Sequence, residues 1–200
     1  MADLRLAALI PAAGFSRRMK AFKPLLKIDG TTIIERAIAL FQSVGIHDIV
    51  TVVGHRSDEL IPVLEKTAAH CVINQRYHDG MFSSIQRGVQ ELKQHCDAFF
   101  LLPVDIPLVH SSTILRLMEA FKSRSSTLIC SPHYNNRQGH PPLIDSCLID
   151  EILTYDGQGG LRSLLKKYED RTYMVAVSDR HVLMDIDTQA DLALLRNTAF

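Results

Sequence analysis

Short apolar runs rich in β-formers alternate with longer amphipathic stretches along most of the chain, and this alternation restricts the fold more than any other feature. Strands are expected at 6–11, 48–53, 70–73, 98–103 and 127–131, with helices between them at 32–43, 57–68, 82–95 and 111–122. Repeated β-α-β units imply an α/β fold, a mostly parallel twisted sheet with helices on both faces and right-handed crossovers. In 200 residues of which 46% are apolar, such a sheet makes a single domain, 1–200, with a real core.

After Ser131 the rhythm loosens. Asn135, Asn136, Gly139, Pro141 and Pro142 are followed by the cluster Gly157, Gly159 and Gly160, so a small inserted lobe is expected over about 132–170. A helix at 160–168, strands near 173–177 and 182–184, and a closing helix at 188–197 complete the expected order. Thr188 is a suitable N-cap for that last helix, with Asp191 three positions later.

Lys plus Arg and Asp plus Glu number 22 each, so the net charge carries no nucleic-acid footprint, and any anion must be met by local clustering. The four cysteines form no C-x-x-C pair, which argues against a zinc ribbon or a redox dithiol and for reduced thiols in a cytoplasmic protein. The apolar run 6–13 is a poor secretory signal, because Asp3 precedes it and Pro11 interrupts it. It is also far short of the ~20 residues that cross a bilayer, so no membrane association is expected.

In open α/β sheets ligands gather outside the carboxyl ends of the strands, so the segments after each strand carry the chemistry. After the first strand, Ala12, Ala13 and Gly14 let backbone N–H groups approach a ligand closely, and Arg17, Arg18, Lys20 and Lys23 add positive charge. A triphosphate satisfies both features. Neither G-x-x-x-x-G-K-[ST] nor G-x-G-x-x-G is present, which disfavours a P-loop ATPase and a dinucleotide dehydrogenase. After the strand at 98–103 stands a single carboxylate, Asp105, with Pro107 two positions on.

"IPAAGFSRRMKAFKPLL" resembles the L-A-A-G-x-S-x-R-M-G-x-x-K signature of the nucleotidyltransferases that include molybdopterin cytidylyl- and guanylyltransferases, with Lys20 in place of the usual glycine. "NQRYHDGMFSSIQRGV" is similar to the N-x-x-W-x-x-G-M-x-x-S-x-x-x-G segment of molybdenum cofactor cytidylyltransferases, with Tyr77 for the tryptophan. "PVDIP" matches G-D-x-P with Val104 for glycine, and "DIDTQADL" matches D-I-D-T-P-E-D-L with Gln189 for proline. "NNRQGHPPLI" and "DGQGGLRSLL" resemble the segments that face the second substrate.

The resemblance implies a Rossmann-like, glycosyltransferase A-like fold and a Mg²⁺-dependent enzyme. It would join CTP to molybdopterin, giving molybdopterin cytosine dinucleotide and pyrophosphate. It places Arg18, Lys23 and Asp105 in catalysis, and Ala12, Ala13, Gly14, Arg18, Lys23, Gly80, Met81, Ser83 and Ser84 at the nucleotide. Gly139, His140, Pro141 and Arg162 fall to the acceptor, with His140 in an exposed turn, and Asp105 with Asp187 or Asp185 to the metal. Transient contact with a molybdoenzyme or its chaperone is implied as well. Three alternatives stay open: a GTP-using guanylyltransferase, a cytidylyltransferase acting on a small sugar or polyol phosphate, and a non-catalytic nucleotide-binding regulator.

Overall fold

The computed structural model describes residues 4–16, 19, 21–188, 190, 191 and 193. The chain begins with β1 (Leu6–Pro11), a hairpin of β2 (Lys27–Ile28) and β3 (Thr31–Thr32), then α1 (Ile33–Gln42), β4 (Asp48–Val53) and α2 (Ser57–Leu64). It continues with β5 (His70–Ile73), α3 (Met81–Leu92), β6 (Ala98–Leu101), α4 (Ser111–Lys122), β7 (Ile129–Tyr134), β8 (Arg137–Gln138) and β9 (Leu143–Asp145). The order closes with α5 (Ile149–Thr154), α6 (Gly160–Lys166) and β10 (Thr172–Ala176).

The main sheet runs β10-β7-β9-β6-β1-β4-β5, with β8 paired to β7. Pairings of β1 with β4 and β6, of β4 with β5 and of β10 with β7 are parallel. Within the main sheet, among the described residues, β8 and β9 are the strands that run antiparallel to their partners. The central parallel strands β1 and β6 are nearly or wholly buried along their length, as strands covered on both faces must be.

Side chains alternate between two cores because successive Cβ atoms of a strand point to opposite faces. Ala8, Ile10, Ile49 and Phe100 meet α1, α2 and α4 through Ile34, Phe41, Leu60 and Leu117. Ala7, Leu9, Val50 and Phe99 meet α3, α5 and α6 through Ile85, Val89, Ile152 and Leu164. Helix α3 lies especially close to the sheet: a Cβ on Gly88 would stand 2.2 Å from Leu9 Cδ1 and 2.9 Å from Val52 Cγ2.

The start of α1 is fixed by a capping box. Thr32 Oγ1 accepts from Glu35 N at 3.3 Å, and Glu35 Oε2 accepts from Thr32 N at 2.9 Å. The Thr32 hydroxyl and amide hold the Glu35 carboxyl below its ordinary value of 4.5. A group depressed in the folded state stabilises above its unfolded pKa and loses that contribution as pH falls through the folded one. Thr32→Ala is therefore expected to lower stability by about 1 kcal/mol at neutral pH. In urea melts the gap from wild type should shrink below pH 4.5; a gap independent of pH would refute the coupling.

Three features depart from expectation. Residues 182–184 do not pair as a strand: Arg180–Leu183 forms a 3-10 turn, started by Asp179, whose carboxylate accepts from His181 N at 3.0 Å. The lobe expected over 132–170 is seated on the sheet, since its strand β9 lies between β6 and β7 and α5 and α6 cover one face. Finally, β7 passes through Pro132; on the β9 side only Ile129 and Cys130 are paired, so no β9 ladder bond there needs an N–H at 132. Of the expected closing helix, 188–197, most lies outside the described residues. Its start is present, with Asp191 Oδ2 accepting from Thr188 N at 2.7 Å and Thr188 Oγ1 accepting from Asp191 N at 3.2 Å.

Candidate active site

Three strand ends converge beyond the carboxyl edge of the sheet. Lys23, in a 3-10 turn Lys23–Leu25 after β1, is only 8% exposed. Its ammonium lies 2.7 Å from Asp187 Oδ1 and 3.5 Å from Asp105 Oδ2. The turn is tied to the loop after β1 because Ser16 Oγ accepts from Lys23 N at 3.2 Å. Asp105 follows β6, and its backbone carbonyl accepts from Ile186 N at 2.8 Å, which locks the two carboxylate-bearing segments side by side.

Burial pushes the Asp105 carboxyl up from its ordinary value, the Lys23 ammonium opposes this, and the nearby Asp187 and Asp185 carboxylates add to it. Among the described residues carboxylates outnumber cations at this point, which is the imbalance a divalent ion corrects. Asp105 and Asp187 share the Lys23 ammonium, whereas Asp185 is exposed and acts on Asp105 through its charge.

Five of the nine expected nucleotide residues, Ala13, Gly14, Gly80, Met81 and Ser84, line one cleft of about 410 Å³ together with Ser16, whereas Lys23 and Ser83 are not among its lining residues. Ala12 lies just behind it, and its amide is committed to Val52 O at 2.8 Å, so it serves the sheet rather than a ligand. Gly80 adopts φ +94°, a conformation L side chains rarely take, and this lets the chain turn from the Tyr77–Asp79 turn into α3. Met81, 55% exposed, stands on the rim. Ser83 Oγ lies 2.8 Å from Gly80 O and 2.9 Å from Arg76 O, so it pins the loop instead of capping the helix. Arg18, together with Arg17 and Lys20, lies outside the described residues.

Asn74 organises this wall and was not singled out from the sequence. Buried to 4% exposure, it donates from Nδ2 to Ser83 Oγ and Ser84 Oγ, both at 2.9 Å, and accepts from Arg76 N on Oδ1 at 2.9 Å. Its signals were its place directly after a strand and the opening asparagine of the N-x-x-W-x-x-G-M pattern that the "NQRYHDGM" run resembles. Asn74→Ala leaves these groups without their partner in a buried setting, which costs about 1–3 kcal/mol. A thermal melt should show that loss together with weaker nucleotide binding, and unchanged binding would remove Asn74 from the site.

On the acceptor side the structure corrects one expectation. His140 is not in an exposed turn: Gly139, Pro141 and Pro142 are buried, and its Nδ1 is buried without a hydrogen-bond partner. Burial pulls its pKa down, while Asp105 and Asp185 pull the other way, so the imidazole is neutral at neutral pH. Gly139 permits this packing, since a Cβ there would lie 2.5 Å from Val182 O, and His140 N donates to that same carbonyl at 2.8 Å. Arg162 stands exposed on α6, with no hydrogen bond or ion pair to the Lys23 cluster.

A mostly parallel α/β sheet with a small-residue loop, a buried lysine and facing carboxylates at its carboxyl edge defines a Rossmann-like nucleotidyltransferase. The fold agrees with that of a nucleotidyl transferase from Methanothermobacter thermautotroptrophicus, at TM-score 0.83 and 24% identity over 98% of this chain and 97% of that one. It also agrees with Rv0371C of Mycobacterium tuberculosis in complex with manganese, at TM-score 0.80 and 18% identity over 98% and 100%. Residues 8–172 match the MobA-like NTP transferase domain, and the chain belongs to that family. It is 26% identical to the molybdenum cofactor cytidylyltransferase of Escherichia coli over 92% of this chain and 91% of the relative. It is 28% identical to nicotine blue oxidoreductase of Paenarthrobacter nicotinovorans over 88% and 89%. No described helix is long and apolar enough to cross a membrane.

Proposed function

We propose that this nucleotidyltransferase joins CTP to molybdopterin, releasing pyrophosphate and forming molybdopterin cytosine dinucleotide. The observation that carries the reading is the contact of Lys23 with Asp187 and Asp105 beside the Ala13–Gly14 loop. Groups for phosphate and for a cation come together there from three strand ends. The likeness to the cytidylyltransferase of Escherichia coli supports the choice of substrates.

The acceptor's terminal phosphate has a second pKa near ~6, so at neutral pH it is largely dianionic and needs no general base. One of its oxygens attacks the α-phosphorus of CTP, and the bond from that phosphorus to the oxygen bridging the β-phosphate breaks as pyrophosphate leaves. Catalysis is then alignment and charge neutralisation. Backbone N–H groups at Ala13 and Gly14 hold the triphosphate, Lys23 and Arg18 neutralise it, and Gly80, Met81 and Ser84 border the nucleoside. A neutral His140 sits between Gly139 and Pro141 at the acceptor end and offers an uncharged hydrogen bond beside Asp105. Mg²⁺, held by Asp105 and Asp187, would supply charge neutralisation to the phosphates when bound; the excess of carboxylate fits such an ion.

The test is pyrophosphate release with molybdopterin and equal CTP, GTP and ATP. CTP should turn over fastest. A preference for GTP would move the assignment to a guanylyltransferase. Turnover only with a sugar or polyol phosphate would change the acceptor, and nucleotide binding without pyrophosphate from any pair would leave a regulator.

A further inference from the structure

A second cluster of chemistry-bearing side chains lies apart from the cytidylyl site. Asp179 is 4% exposed and sits where the 3-10 turn Arg180–Leu183 meets the start of α4. Its Oδ2 accepts from His110 N at 2.8 Å and from Thr113 Oγ1 at 2.9 Å, which fixes the carboxylate rigidly. Its Oδ1 lies 3.0 Å from His181 Nδ1 and 3.9 Å from His110 Nδ1. The two imidazole rings stand 5.0 Å apart, tilted by 49°. One ligand atom from each of the three residues falls within 4.8 Å of the others.

We propose that His110, Asp179 and His181 bind a transition-metal ion of the zinc class, with a fourth coordination position open to solvent. Tetrahedral zinc with bonds of about 2.0–2.1 Å separates neighbouring ligand atoms by roughly 3.3–3.4 Å. The two spacings to Asp179, 3.0 and 3.9 Å, bracket that value and all three ligand atoms lie within 4.8 Å of one another, so the site closes once ring rotations draw the imidazole nitrogens together. Two imidazoles and one carboxylate favour zinc over magnesium, which prefers oxygen ligands and water. The bonds from His110 N and Thr113 to the far oxygen of Asp179 are the outer support that orients a metal-binding carboxylate.

The open position has a place to face. A cleft of about 610 Å³ runs past His110 and His181, with Arg36, Thr31 and Ser111 on its walls, leaving room for water or a small anionic ligand. The ion would also fasten two segments that build the transferase site. Asp105 lies five positions before His110, and the turn bearing His181 leads into Asp185, Ile186 and Asp187. Those two segments are already joined by the bond from Ile186 N to Asp105 O and by the bonds from His110 N and Thr113 to Asp179. The site is thus placed to steady the carboxylates without touching substrate.

The experiment is titration of chelator-treated protein with Zn²⁺ and with Co²⁺, both in excess Mg²⁺ so that the acidic site is occupied. One equivalent of Zn²⁺ should bind and raise the melting temperature. Co²⁺ should give the intense visible bands of four-coordinate geometry. His110→Ala removes a side chain that is 58% exposed while keeping the backbone bond to Asp179, so the fold should persist. In that variant affinity should fall at least ~10-fold and the four-coordinate spectrum should vanish. His181→Gln should do the same. Absence of saturable binding, a six-coordinate spectrum, or wild-type affinity retained in either variant would each overturn the site and reduce the cluster to a hydrogen-bonded cap on α4.

Discussion

Asp105→Asn is expected to lower pyrophosphate release by about 10³-fold while leaving the protein folded. The asparagine keeps the shape of the side chain, and the backbone bond from Ile186 N to the residue 105 carbonyl is untouched. What disappears is a carboxylate disfavoured by its own burial, with Asp187 and Asp185 as like-charged neighbours and the Lys23 ammonium and a backbone hydrogen bond in opposition. Without metal the variant should therefore melt at or above the wild-type temperature, because an uncomfortable charge has been removed. With Mg²⁺ the order should reverse, since only the wild type gains stability by binding an ion that the unfolded chain does not hold. Normal turnover, or an undiminished rise of melting temperature with Mg²⁺, would refute the role of Asp105.

The parallel strands were legible in the sequence because β1, β4 and β6 are nearly continuous buried runs and β5 is a short β-prone run between two helical stretches. β1, β4 and β5 coincide with the expected bounds, and β6 ends two residues early. β9 was not legible: three residues, Leu143–Asp145, flanked by prolines and a capping aspartate, carry too little periodicity to be told from loop. It becomes a strand only because β6 and β7 offer it two edges at once. The segment 182–184 illustrates the opposite error. Val182, Leu183 and Met184 are apolar and β-prone, yet Asp179 supplies a local acceptor that bends the chain before any strand can pair.

The candidate site shows the same division. Ala13 and Gly14 were found by position after a strand and Gly80, Met81 and Ser84 by resemblance to a family motif, and the fold brings all of them to one cleft. Asn74 was overlooked because its work is internal, bonding side chains that only the folded loop makes adjacent. The burial of His140 likewise depends on Val182, more than forty residues away, and no local pattern announces it.

Lys23→Met should separate two roles of one ammonium. In the metal-free protein Lys23 compensates Asp187 and Asp105 from a nearly buried position, and its loss removes that compensation from both. Breaking such a buried pair costs about 3–5 kcal/mol, which a denaturant melt at neutral pH should register as an earlier midpoint with an unchanged slope. Mg²⁺ should restore part of that loss in Lys23→Met, because a divalent charge between the carboxylates does electrostatically what the lysine did. Turnover should stay about 10²–10³-fold down even in saturating Mg²⁺, since the charge that Lys23 brings to the leaving phosphates is not replaced. Stability and catalysis would then respond to the metal in opposite ways in a single variant. Recovery of both together would mean that Lys23 serves only the fold; recovery of neither would mean that no ion binds between Asp105 and Asp187.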